Sequence, residues 1–258
     1  IHAINAVRRR VSRIKGGRLC AWLRGRPALA LYVSDVRGDD PAVIGSGLLK
    51  TPQPALPLPD AWLGGLPDDL RAVLNRETGS GPDCRTVEHR IVAGLADAMQ
   101  AAAAAGRRQG LPVFLHETPL TGEAEIAGRE LADRLRAAPP GLHVWGGETT
   151  VTLPPDPGRG GRNQHLALAA ALALDGAADV VLLAAGSDGS DGNSSDAGAL
   201  VDGGTLMRGA GDGSSAEDCL RCADSGRFLA AAGDLIHTGP TGTNVTDLVL
   251  ALKAHPTG

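Results

Sequence analysis

Short apolar runs and longer amphipathic stretches follow one another along the chain, and the period of the apolar positions changes between them. PALALYVSDV (Pro27–Val36) is compact and apolar with polar residues at its end, which predicts a strand. LPVFLH (Leu111–His116) and ADVVLLAAG (Ala178–Gly186) read the same way, and NVTDLVLAL (Asn244–Leu252) alternates well enough for a last strand. Helical spacing runs through INAVRRRVSRIKGGRL (Ile4–Leu19), stopped by Gly16 and Gly17. It recurs in Glu88–Arg107, in TGEAEIAGRELADRLRAA (Thr121–Ala138), in GGRNQHLALAAALAL (Gly160–Leu174) and in pieces of Ser215–Gly233. GLHVWGGETTVTL (Gly141–Leu153) predicts two strands with a Gly-Gly turn or bend. Strands alternating with helices predict an α/β protein, an α/β/α sandwich with a parallel or mixed sheet. Gly38–Asp60 is rich in Gly and Pro and reads as loop. The loop-rich segment from Asp60 to Asp83 is expected to separate two lobes, 1–84 and 85–258.

Composition narrows the classes. A net charge of −4 over 258 residues gives no electrostatic footprint for nucleic acid. The longest apolar region, Leu166–Gly186, is broken by Asp175, Gly176 and Asp179, so it reads as helix, turn and strand and not as a membrane span. Of the cysteines Cys20, Cys84, Cys219 and Cys222, the CLRC pair has no second pair or histidines to complete a zinc site, and it reads as reduced thiols. Cytoplasm is then the default compartment. The seven histidines form no ligand-like pair along the sequence. The chain opens on Ile1, not Met, and an amino-terminal portion is expected to precede it.

Three polar segments carry candidate chemistry. VSDVRGDDP (Val33–Pro41) puts Asp35 at a strand end, where a carboxylate can orient a hydroxyl, take its proton or hold magnesium; turn formation is the competing role. GRGGRNQHLAL (Gly158–Leu168) delivers Arg162 as a helix begins, and free helix-start N–H groups with a guanidinium suit phosphate or carboxylate. GSDGSDGNSSDAGA (Gly186–Ala199) follows a strand, with Asp188, Asp191 and Asp196. Their spacing and the lack of a closing Glu exclude an EF-hand, leaving a Gly-rich loop where open α/β sheets bind ligands. TGPTGTNVTD (Thr238–Asp247) is a hydroxyl-rich turn of weaker meaning. GSGLLKT lacks the P-loop glycine at Leu49, and no GxGxxG follows a strand.

Taken in order, INAVRRRVSRIKGGRL, SDVRGDDPAVIGSG, the GEA of Gly122–Ala124, GGETTVTL, GRGGRNQHLAL, GSDGSDGNSSDAGA and HTGPTGTNVTDL resemble the class II glycerate 2-kinase family. The part from about 142 to 252 is similar to the MOFRL domain of that family. The resemblance implies transfer of a phosphoryl group from ATP to the 2-hydroxyl of D-glycerate, with Mg²⁺ or another divalent cation. It implies catalytic roles for Asp35 (the metal-ligand candidate) and Arg162, and substrate or nucleotide contacts at Lys15, Gly16, Gly17, Ser34, Gly38, Asp39, Asn163, Asp188, Asp191, Thr241 and Asn244. Asp196 is expected only to cap a following helix. The partner implied is the small-molecule substrate, with neither nucleic acid nor membrane, and a homodimer stays open. Family members are often labelled hydroxypyruvate reductases, a label the missing dinucleotide fingerprint opposes. Leu48-Leu49 stands where the family has Pro-Thr, and His165 where it has an acid. The family also carries an amino-terminal Gly-rich, Lys-containing phosphate segment that this chain lacks. An incomplete kinase, or a kinase for another hydroxy acid, is the alternative reading.

Overall fold

Parallel pairing of β1 (Ala28–Val33) with β2 (Val87–Ala93), from Ala28 opposite Val87 to Val33 opposite Ala93, organises the first of two units in the computed structural model. The structure describes residues 2–50, 66–74 and 83–255, so most of the expected lobe-separating segment lies outside the described residues, as does Thr51 of GSGLLKT. The units divide at Gly94/Leu95, ten residues past the expected 84/85. VEHRIVA alternates on a two-residue period and pairs as a strand, where the sequence predicted the start of a helix.

In this unit α1 (His2–Val11) ends before the two glycines expected to stop it. Ser12 Oγ accepts the N–H groups of Ile14 (3.3 Å) and Lys15 (3.1 Å), and that local turn replaces the next helical bonds. A short helix α2 (Cys20–Leu23) and a third, α3 (Asp68–Leu74), follow. Ala30 and Tyr32 of β1 pack with Ile44 and Val87 around a disulfide between Cys20 and Cys84, a pairing that cysteine spacing did not suggest. Cys219 and Cys222 form no disulfide, as read.

The second unit, Leu95–Gly258, holds a six-stranded sheet. Its helices and strands run α4 (Leu95–Arg108), β3 (Val113–Leu115), α5 (Ala124–Ala137), β4 (Gly141–Gly147), α6 (Arg162–Ala173), β5 (Val180–Gly186), β6 (Gly198–Asp202), α7 (Thr205–Gly209), α8 (Ala216–Arg221), α9 (Ser225–Ala232), β7 (Leu235–Ile236) and β8 (Asp247–Lys253). The strand order is β3-β4-β8-β5-β6-β7, parallel only between β3 and β4 and antiparallel elsewhere, so the sheet is mixed. Gly146 and Gly147, expected as a turn or bend between two strands, are the end of β4, and among the described residues no second strand follows before α6.

Adjacent β4 residues point to opposite faces. Leu142 and Gly146 meet α4, while Trp145 joins the core formed with α5 and α6. The unit is therefore an α/β/α sandwich. Residues Asn163 through Ala171 of α6 are all buried, as expected of a helix apolar on every side and enclosed by neighbours. Two histidines that are distant in sequence meet on the β3–β4 face: His116 Nε2 and His143 Nδ1 lie 3.1 Å apart, stacked among Phe114 and Trp145. Since His143 Nε2 faces the Pro139 carbonyl at 3.0 Å, it donates there, and His116 donates to His143.

Candidate functional site

The site residues expected from sequence fall into separate groups, one set in each unit. In the first unit Gly16 N–H donates to the Ser46 carbonyl (3.0 Å) and Gly17 N–H to that of Gly47 (2.6 Å). Lys15 Nζ reaches the Gly45 carbonyl at 2.7 Å. The Lys15–Gly17 and Gly45–Gly47 segments are thus laced together by backbone, and Ser46 Oγ donates to the buried Asn5 side chain at 3.0 Å. Asp35 stands exposed just past β1, beside the buried Ser34, whose N–H donates to the Ala93 carbonyl at 2.8 Å. Gly38 and Asp39 follow with left-handed backbone (φ 83° and 51°), so this stretch is also a genuine turn.

In the second unit the chemistry gathers where α6 starts. Arg162, its first residue, donates from Nε to Asp247 Oδ2 at 2.5 Å and from Nη2 to Asp247 Oδ1 at 3.1 Å. Nη1 lies 3.3 Å from Glu148 Oε1. The guanidinium titrates even higher than usual, first because of the Asp247 hydrogen bonds. An arginine that would oppose the helix dipole is thus compensated by two carboxylates.

Two of the helix-start amides expected to be open to an anion, those of Asn163 and Gln164, are not. Asp191 accepts Asn163 N–H at 3.1 Å and Gln164 N–H at 2.8 Å, and Asn163 Nδ2 at 3.3 Å. Asp191 is therefore the cap of α6, supplied from a distant loop. Burial pushes its carboxyl up to about 6, against the pull of those amides.

The Gly-rich loop that holds Asp191 is shaped by close backbone approach. A Cβ on Gly192 (φ 62°) would lie 2.4 Å from the Gly160 carbonyl oxygen, and one on Gly189 (φ 86°) 2.0 Å from that of Gly239. Only glycine fits either place. These contacts tie the loop to both GRGG and TGPTG. Thr241 N–H donates to the Asp188 carbonyl at 3.1 Å and its hydroxyl to the Ser187 carbonyl at 2.6 Å, while Asn244 Oδ1 accepts Thr246 N–H at 3.0 Å. Asp188 itself accepts Ser190 N–H at 2.9 Å.

Asp196 caps no helix; β6 follows it. It pairs with Arg159 Nη2 at 2.6 Å and His237 Nδ1 at 3.2 Å. Burial raises its carboxyl, but Ser194, His237 and Arg159 outweigh that and leave it below the usual range. Glu123 of the GEA segment accepts the Thr152 amide (3.1 Å) and hydroxyl (2.9 Å) and is likewise lowered, first by the Thr152 hydroxyl.

A cavity of about 640 Å³ opens beside Arg162, lined by Glu148, Val151, Leu153, Gly161, His165 and Asn193 among others. Burial lowers the His165 pKa, against the pull of Glu125 and Glu123, and its Nδ1 pairs with Ser225 Oγ at 3.1 Å. Sequence reading missed Glu148 and Asp247. The one available signal was an acid at the threshold of an apolar strand in VTDLVLAL.

Two family models match the chain, "Domain of unknown function (DUF4147)" over residues 1–56 and "MOFRL family" over 141–247. Glycerate 2-kinase of Pyrococcus horikoshii is 34% identical over 100% of this chain and 63% of its own length. Glycerate kinase of Macaca fascicularis is 30% identical over 96% of this chain and 77% of its own length. The crystal structure of glycerate kinase from Thermotoga maritima superposes with a TM-score of 0.85 at 33% identity, covering 98% of this chain and 63% of that one. The chain thus spans about 63% of the length of the Pyrococcus and Thermotoga kinases. Matching motifs, models and fold agree with that coverage, and the chain belongs to the glycerate kinase family, with the MOFRL region in its second unit.

Proposed function

We propose that this chain serves ATP-dependent phosphoryl transfer to the 2-hydroxyl of D-glycerate, yielding 2-phosphoglycerate and ADP. The observation that carries this reading is Arg162 at a cavity of about 640 Å³, held on one edge by buried Asp247, in a member of the glycerate kinase family. Such a transfer asks the protein for positioning and relief of developing negative charge more than for covalent help. Arg162 supplies a fixed cation for the glycerate carboxylate or the phosphoryl oxygens. Asp35, exposed at the end of β1, orients the substrate hydroxyl and takes its proton. The Lys15–Gly17 segment, laced to Gly45–Gly47, contributes contacts to the substrate or nucleotide. Among the described residues no group of three or more His, Cys, Asp or Glu is placed to hold a metal ion, and Asp35 belongs to no such group. The divalent cation is accordingly read as arriving with the nucleotide, bound mainly by its phosphates, and no step is assigned to a protein-held metal.

The test is an ADP-release assay on this chain with ATP, magnesium and D-glycerate, with the phosphoglycerate isomer identified. Formation of 2-phosphoglycerate is the expected result. Formation of the 3-isomer, or NAD(P)H-dependent reduction of hydroxypyruvate without ADP release, would overturn the reading.

A further inference from the structure

The two carboxylates on Arg162 grip it very unequally. Asp247 has a side chain only 7% exposed and takes two nitrogens of one guanidinium edge. It enters β8 opposite Gly147 of β4 and Gly186 of β5, so neither neighbouring strand places a side chain beside it, and the guanidinium has room. Thr246, immediately before it, holds a left-handed backbone (φ 73°) with its hydroxyl buried and unpartnered. Such strain in a β-branched residue persists only where the surroundings demand that geometry. Glu148 is different. Its side chain is 58% exposed, it touches only Nη1, through one oxygen at 3.3 Å, and it lines the cavity, whereas Asp247 does not. The helix-start amides of Asn163 and Gln164, which could have welcomed an anion here, are already occupied by Asp191.

We infer that Glu148 is a displaceable counter-ion, holding on Arg162 Nη1 the place that an oxygen of an anionic ligand, carboxylate or phosphate, takes when it enters the cavity. The inference rests on the reading of Arg162 as the anion-binding group. Asp247 is then the positioning residue that keeps Nη1 aimed into the cavity, and Glu148 sets affinity by competing with the ligand. Exchange is easy because an exposed ion pair contributes little, while the buried pair with Asp247 stays intact. Glu148 also screens the site, because a neutral ligand gains nothing from displacing it.

Binding separates the possibilities without relying on turnover. Calorimetric titrations with inorganic phosphate and with D-glycerate would be run on this chain, Glu148→Gln and Arg162→Ala, at low salt and at about 1 M potassium chloride, where the screening length falls to roughly 3 Å. Glu148→Gln should bind about two- to fivefold more tightly than the parent at low salt, with the gain shrinking at high salt, and Arg162→Ala should lose binding. If Glu148→Gln binds no tighter, or more weakly, while Arg162→Ala still loses binding, the counter-ion role is wrong and the anion-binding role of Arg162 survives. If Arg162→Ala binds like the parent, or neither probe binds Glu148→Gln, both fail.

Discussion

At the scale of single residues, charge and burial decide which candidates can act. Arg162→Ala removes the one guanidinium fixed at the cavity. Loss of such a preorganised contact should slow turnover by roughly 3 kcal/mol of transition-state stabilisation, and stability should fall separately, because the substitution leaves the Asp247 carboxylate, only 7% exposed, without its partner. Steady-state kinetics beside a urea titration would check the split, and near-full activity would remove Arg162 from the site. Asp191 invites a pH experiment. Its folded pKa, raised to about 6, lies above the ordinary 3.8, so the folded state holds the proton more tightly. Its contribution is fully present below about pH 4 and is lost as pH rises through about 6. A carboxyl moved that far corresponds to about 3 kcal/mol as an upper figure. Asp191→Asn, which leaves one helix-start N–H without its acceptor at every pH, should flatten that slope. Unfolding midpoints of parent and variant compared between pH 4 and 7 would detect it, and parallel curves would count against the burial argument.

Elements show how far close packing depends on small residues. Gly128 sits inside α5, where a Cβ would lie 2.3 Å from the Leu166 carbonyl oxygen of α6. Alanine would gain about 1 kcal/mol of helix propensity. A contact that short against backbone cannot relax without moving a helix, and overpacking costs typically about 1–3 kcal/mol. Gly128→Ala should therefore destabilise the second unit, measurable as a lower urea midpoint; a rise would mean that α5 moves freely. Strands and helices with one clear period were legible in the sequence: β1, β5, β8, α5 and α6 lie where apolar spacing put them. VEHRIVA was not, because its period-two pattern runs directly into α4 and merges with the helical one. Nor was GALVD, a five-residue strand whose first two residues belong to the Gly-rich loop segment and whose last three carry too short a pattern to read. The site was half legible. Arg162 and Asp191 announce themselves by residue type, but that Asp191 fills the start of α6, and that Asp247 and Glu148 share Arg162, depends on contacts 14 to 85 residues apart that no local pattern encodes.

Taken whole, the molecule divides into units with very different resources. The second has a six-stranded sheet covered by helices on both faces and a contiguous core running from Ala124 to Ala251. Among its described residues the first has two paired strands, a small core, and Leu29, Leu31 and Val33 exposed on one sheet face. Two strands alone are marginal in water, so covalent support matters more there. The Cys20–Cys84 disulfide spans 64 residues of sequence and joins the start of α2 to the approach of β2. Cross-linking a loop of that size typically contributes about 2–4 kcal/mol by restricting the unfolded chain. Both cysteines lie in the first unit, so the effect should stay there. Reduction with dithiothreitol, or the Cys20→Ser/Cys84→Ser pair of substitutions, should lower protection of Ala28–Val33 and Val87–Ala93 in hydrogen-exchange mass spectrometry, leaving Val180–Gly186 and Asp247–Lys253 unchanged. Equal loss in all four segments would mean that the units unfold as one. No loss in any would mean that the cross-link bears no weight even in the unit that contains it, and that the first unit's small core suffices by itself.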